Sequence, residues 1–233
     1  MRIPVKPLCQ AGPELCSVAC LTMILDYYGH DIDQQGVLAA VPKGSGDGPL
    51  LTDLGHFAQK VGLKVDCLAY NLYLTAPEDA ALSMGDLIKT LQIERRVIKD
   101  DSYLRMIDSI LGCIGAGANY IIAKPSTQTI TSYLERGIPL ILSVSHAAWY
   151  NTQGDPYEAH AVVLSGIERD KIYFIDPGYS PQPRLVVEDL RFLDPGQARE
   201  GSVSLDDLRF AMLSRKTTDA AAYLLAVKPG EPT

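Results

Sequence analysis

Apolar positions cluster earliest and most densely between Gln10 and Gly29, QAGPELCSVACLTMILDYYG. Val18, Ala19, Leu21, Met23, Ile24 and Leu25 leave almost no polar face, so the stretch predicts a helix buried nearly all round. Gly29-His30 stops it, and a short helical pattern through Ile32, Val37, Leu38 and Val41 follows. KGSGDGP at 43–49 reads as a loop. Leu51 to Val61 predicts a third helix, with Thr52 as its cap and Gly62 as its terminator. Leu63 to Tyr70 predicts a strand. Pro77 to Glu94 and Asp101 to Cys113 both show helical spacing, broken at Gly112 to Gly117, and give a helical insertion near 72–117.

From Ala118 the period shifts towards strands: Ala118 to Ala123, then a helix from Ser126 to Arg136 closed by Gly137, then a strand from Pro139 to Val144. A polar loop, SHAAWYNTQGDPYEA, leads to the apolar run beginning His160-Ala-Val-Val-Leu. A turn at Arg169-Asp170 joins that run to Lys171-Ile-Tyr-Phe-Ile-Asp176-Pro177, so the two form a hairpin. Leu185 to Val187 predicts a short strand, Leu205 to Leu213 a helix and Ala221 to Val227 a closing strand. Helices first and antiparallel strands later make the fold class α+β. The whole chain, 1–233, reads as one domain of two lobes. Residues 1–117 form a mainly helical lobe and 118–233 a mainly β lobe.

Composition narrows the partners. The 233 residues suffice for a substantial core. A net charge of −7 and a sequence pI near 5.1 argue against a nucleic-acid backbone partner. No signal peptide and no membrane span are expected. Five irregularly spaced cysteines, Cys9, Cys16, Cys20, Cys67 and Cys113, point to free thiols in a reducing cytoplasm. The spacing does not specify an oligomeric state.

Cys16 changes the picture of the first helix. It stands in the opening turn, after an irregular Ala-Gly-Pro segment, where backbone N–H groups and the helix dipole favour thiolate over thiol. Gln10, six residues upstream, can aim a side-chain amide at the same point. His160 opens one hairpin strand and Asp176 ends the other. Those four residue types fit thiol catalysis. The imidazole takes the thiol proton and the carboxylate fixes the imidazole's tautomer. An amide and a backbone N–H hold the oxyanion. His146 and Trp149, in the loop before His160, are candidate substrate-binding residues. Cys16 and Cys20 with Cys9 or His30 make a poor zinc set, since no paired CxxC or clustered His motif is present. No metal and no other cofactor are expected. Gly44-Ser-Gly-Asp-Gly48 lacks the Lys-Ser/Thr of a phosphate loop and reads as a turn.

Gln10, Cys16-Ser-Val-Ala-Cys20-Leu-Thr-Met-Ile-Leu-Asp-Tyr-Tyr-Gly29, His160-Ala-Val-Val-Leu-Ser-Gly166-Ile167 and Phe174-Ile-Asp176-Pro177 together resemble the papain-like cysteine peptidases that process bacteriocin precursors at double-glycine leaders, as a free-standing member. The resemblance implies a papain-like fold with Cys16 as nucleophile, His160 as base, Asp176 as its orienter and Gln10 in the oxyanion hole. The chain departs from that family at Leu15 and Ser17, where Asp and Gly are usual. The expected function is a cysteine peptidase that cleaves a peptide or small protein through a thioester acyl-enzyme. An acyl or aminoacyl transferase with the same Cys-His-Asp set, in a specialised metabolite pathway, is the alternative. A non-catalytic peptide-binding module is the third reading.

Overall fold

The computed structural model describes residues 1–42, 48–151, 153–154, 158–178, 198–214 and 220–230. Residues 43–47 of the loop expected at 43–49, and the strand expected at 185–187, lie outside them. The structure is α+β, and its compact units interleave along the chain. Met1–Pro49 with Ser126–Arg215 forms one unit, and Leu50–Pro125 with Lys216–Thr233 the other.

The first unit carries helices α1 (Cys16–Tyr27), α2 (Gln34–Ala40), α6 (Thr127–Leu134), α7 (His146–Tyr150) and α8 (Leu205–Leu213), and strands β3 (Leu140–Ser145), β4 (Ala159–Glu168), β5 (Lys171–Asp176) and β6 (Arg199–Ser204). The four strands pair antiparallel in the order β3-β4-β5-β6. Every residue of β3, and His160 to Ser165 of β4, is buried. Strands so fully buried are covered on both faces, by α1 and α6 against β4 and α8 against β3.

The expected buried helix is α1, with Val18 to Leu25 sealed from solvent. It ends where Gly29, at φ +82°, turns the chain left-handed so that His30 N–H reaches Leu25 O at 2.9 Å. The hairpin forms as expected, its turn at Arg169 (φ +56°). A bulge lies between Leu164 and Gly166, where the N-terminal segment docks. Ile3 N–H donates to Ser165 O at 2.6 Å, and a side chain at 166 would meet Met1 O at 2.5 Å. Only glycine admits so close a strand. The polar loop expected before His160 contains a helical turn, α7, because Ser145 Oγ caps Ala148 N–H and Asn151 takes the left-handed conformation that ends it. Strand β6 was not expected, since REGSVS offers little apolar alternation.

The second unit contains α3 (Leu51–Lys60), β1 (Lys64–Ala69), α4 (Met84–Val97), α5 (Asp101–Gly115), β2 (Asn119–Ile122) and β7 (Leu224–Lys228). Strand β1 pairs parallel with β2 and antiparallel with β7. Three expectations are corrected. Residue Thr52 does not cap α3. It is buried and its hydroxyl meets Ser109 Oγ at 2.6 Å, while Asp53 Oδ2 accepts from Leu50 N–H at 3.1 Å. The helix predicted from Pro77 breaks after a 3-10 turn, Pro77–Ala81, and restarts where Ser83 caps Asp86 N–H. Helix α5 runs through Gly112, whose missing side chain lets His56 Nδ1 approach to 3.2 Å of the would-be Cβ. Gly55 plays the same part for Cys113, Cys67 and Leu225. Among the described residues, no helix is long and apolar enough to cross a membrane.

Candidate active site

All four residues expected to do chemistry belong to the first unit. Helix α1 starts at Cys16, after Leu15, which contributes no side-chain cap, and no acidic side chain occupies the first turn. The N–H groups of that turn are therefore not taken up by a capping side chain. The thiol is half-buried. Burial alone would push it up, yet it is held below its ordinary 9.0. The hydrogen bond and charge of His160, then the backbone N–H groups of Ala161 and Ser17, outweigh the burial.

Helix α1 packs on β4, whose second residue is His160. The β4–β5 register sets Val163 against Ile175, so continuing it by one puts Val162 opposite Asp176. The side chain two residues along from Val162 on the same face, His160, is then the diagonal neighbour of Asp176. Its Nε2 lies 2.8 Å from Asp176 Oδ1, which leaves Nδ1 as the ring nitrogen for Cys16. Burial would depress the imidazole, but Asp176, by charge and hydrogen bond, and then Cys16 push it up to about 10. At ordinary values of 9.0 and 6.5 the proton would stay on sulfur. The environment favours moving it to the ring.

The carboxylate of Asp176 is saturated with donors. Oδ1 accepts from His160 Nε2–H and from Gly178 N–H, both at 2.8 Å. Oδ2 accepts from the Tyr150 hydroxyl at 2.7 Å and Trp149 Nε1–H at 3.2 Å. Four donors fill the acceptor positions of an ionised carboxylate. Burial would raise its pKa; the His160 charge and these hydrogen bonds lower it to about 2.

The structure moves one expected residue to a new place. Trp149 is buried, its ring edge-on to Phe174 at 4.7 Å and its N–H spent on Asp176. Its indole N–H supports the carboxylate. His146 stays half-buried, its ring 5.9 Å from that of His160 and 4.7 Å from that of Tyr150. Burial, then the charge of His160, lowers its pKa, against Glu158 and Asp176. Sequence reasoning missed Tyr150, which follows Trp149 directly. It also missed Arg199 on β6, cross-strand from Asp176.

Gln10 is buried beside this array, its N–H donating to Pro177 O at 2.9 Å. Gln34 of α2 clamps the same segment, accepting from Ala11 N–H at 2.9 Å and donating to Cys9 O at 2.8 Å. The Gln10 side-chain amide donates to Gly12 O at 2.7 Å, and its Oε1 is buried without a hydrogen-bond partner. Cys20, one turn along α1, is sealed in the core; burial, then the charges of Cys16 and Asp176, raise its thiol far above the usual range. Among the described residues, no three His, Cys, Asp or Glu side chains gather as metal ligands.

The sequence profile described as "Peptidase_C39 like family" matches residues 2–188. No curated protein sequence matches the chain. Among solved structures, the chain is similar to the peptidase domain of Streptococcus ComA, a bi-functional ABC transporter of a quorum-sensing pathway, at 12% identity. That likeness covers 97% of this chain and 98% of the other at a TM-score of 0.45. A double glycine motif protease from an AMS/PCAT transporter, in complex with its leader peptide, is 14% identical. It spans 98% and 94% of the two chains at a TM-score of 0.43. A C39-like peptidase from Bacillus anthracis is 13% identical over 98% and 96%, at a TM-score of 0.45. The family assignment rests on the profile match.

Proposed function

The chain belongs to the Peptidase_C39-like family, and on that premise we propose that it cleaves a peptide through a thioester on Cys16. The observation that carries this reading is the hydrogen-bonded line from the half-buried Cys16 thiol through His160 to Asp176.

In that scheme the Cys16 thiolate attacks the scissile carbonyl carbon, and the oxyanion forms against the N–H groups opening α1. Gln10, turning its amide away from Gly12 O, adds a second donor. Imidazolium His160 passes its Nδ1 proton to the departing amine, and the C–N bond breaks, leaving the acyl-thioester. Neutral His160 then takes a proton from water through Nδ1, the hydroxide attacks the thioester, and the thiolate leaves as acid is released. Asp176 keeps Nε2 protonated throughout, fixing the tautomer. Peptides carrying a double-glycine leader, the kind of peptide bound by the transporter protease, are the first substrates to try. The free state of all five thiols suits a reducing compartment.

Alkylation by iodoacetamide near neutral pH tests the nucleophile without a known substrate. Cys16 is expected to react at least roughly tenfold faster than Cys9, the other half-buried thiol, whose pKa burial raises. Equal rates would overturn the reading.

A further inference from the structure

Tyr150 has no place in the reaction just described, yet it touches two of its members. It is buried at the end of α7, with its ring 5.4 Å from that of His160. Its oxygen lies 2.7 Å from Asp176 Oδ2 and 3.1 Å from His160 Nε2. The carboxylate is ionised and can only accept, so the phenol proton goes to Asp176. The phenol oxygen then presents lone pairs to His160 Nε2–H. That proton therefore lies between two acceptors, Asp176 Oδ1 and the Tyr150 oxygen.

We infer that Tyr150 is a positioning residue for the acyl-transfer reaction, locking the His160 ring and the Asp176 carboxylate into one orientation. This inference rests on the proposed use of Cys16 and His160. Turning the ring about its Cβ–Cγ bond would take Nε2 away from both acceptors at once, so Nδ1 stays aimed at sulfur. With one acceptor the ring could tilt while keeping its bond to Asp176; with two it cannot. Tyr150 acts wholly through its neighbours and meets no substrate, since it is sealed from solvent. Buried in the same place, its own proton is held tightly. Burial, then the charge of Asp176, carries its pKa far above the usual phenol range.

Among the described residues, the charged and titratable groups around the array are Cys9 ahead of α1, Cys16 and Cys20 on α1, His146 on the same helix as Tyr150, Glu158 just before β4, His160 on β4, Asp176 on β5 and Arg199 on β6. The Arg199 guanidinium carbon lies 5.9 Å from the Tyr150 ring centroid. Removing the phenol oxygen withdraws an acceptor from the imidazolium N–H. The alkaline limb of reactivity, set by proton loss from His160, should then move to lower pH.

The test is the pH dependence of Cys16 alkylation by iodoacetate and by iodoacetamide in the full chain, comparing the natural protein with Tyr150→Phe. The anionic reagent reports the imidazolium beside the sulfur, and the neutral one reports the thiolate alone. Phenylalanine keeps the ring, so the fold is checked simply by its melting transition. The iodoacetate rate on the alkaline limb, near pH 10, is expected to fall roughly tenfold or more, the worth of one hydrogen bond to a charged group. The alkaline limb should shift downward. In an Asp176→Asn background, the same Tyr150→Phe change should not have the effect it has alone, because both residues hold the same imidazole N–H and their effects are coupled. An unchanged rate and profile in Tyr150→Phe, an upward shift of the limb, or full additivity with Asp176→Asn would overturn the inference. A natural protein whose Cys16 is itself unreactive would instead overturn the proposed nucleophile.

Discussion

Each unit buries aspartate among hydrogen-bond donors, and two of these sites, Asp53 in the second unit and Asp176 in the first, do opposite things. In the second unit, Asp53 accepts from the Ser109 hydroxyl, from Arg105 at 3.1 Å and from Leu50 N–H, while Ser109 also meets Thr52. Every partner there is a permanent cation, a hydroxyl or an amide, so no proton has anywhere to go. The network ties α5 to α3 and stops. In the first unit Asp176 is just as well satisfied, but one of its donors is an imidazole, and beyond the imidazole stands a half-buried thiol. A saturated buried carboxylate is therefore no mark of chemistry. A titratable chain that runs from it to a thiol is.

The cysteines repeat the contrast. Cys67 and Cys113 meet at 3.4 Å between sulfurs in the second unit. The hydrogen bond from Cys113, then burial, holds the Cys67 thiol far above its ordinary range. The charge of Asp66 pushes Cys67 in the same direction. Burial acts in the same direction on Cys16, and His160 reverses it.

The largest expected effect breaks the first site at its centre. Cys16→Ala should lower peptide cleavage by on the order of 10⁶-fold, as loss of a nucleophile does elsewhere. Product mass spectrometry on a leader-type peptide reads it, and Cys113→Ala in the same assay should leave the rate within twofold or so. Next comes the orienter. Asp176→Asn keeps the shape but cannot hold the Nε2 tautomer, and should cost on the order of 10³- to 10⁴-fold in kcat. A loss confined to KM would show that Asp176 shapes binding instead.

The pH profile sharpens the comparison further. Activity needs Cys16 deprotonated and His160 protonated. It should rise below the ordinary thiol value of 9.0, where Cys16 loses its proton, and fall near pH 10, where His160 loses its own. Such a bell describes the pair, not either residue alone. If the acid limb instead lies at or above 9.0, the ion pair does not form. The smallest effect on chemistry belongs to the second unit. Asp53→Ala strands Arg105, the Ser109 hydroxyl and the Leu50 N–H and should reduce stability by about 3–5 kcal/mol. In the folded variant, Cys16 alkylation at a temperature well below the midpoint should be unchanged. Denaturant melts and alkylation rates separate the two.

What the sequence revealed of all this follows from distance along the chain. Cys16 and the α1 core are written in consecutive residues, and the partnership of His160 with Asp176 is written in a hairpin with a short turn. Both could be read by counting. Trp149 and Tyr150 could not, because five residues of α7 give too little periodicity to show which way they point. Their polar tips turn inward to a carboxylate 26 or 27 residues later. Strand β6 was hidden for a different reason, since its glycine and serines pair by backbone rather than by apolar faces. The interleaving of the two units is likewise invisible to a reading that treats neighbouring residues as neighbours in space.

Gln34 gives a mutational survey of this protein a distinctive signature. From the first turn of α2 it braces both Cys9 O and Ala11 N–H, straddling Gln10 without touching the reacting atoms. Gln34→Leu should therefore score among the damaging substitutions in a screen for activity while passing unnoticed in a screen for abundance. A position with that split profile, on a helix with no chemistry of its own, would map the support of the segment that carries Gln10.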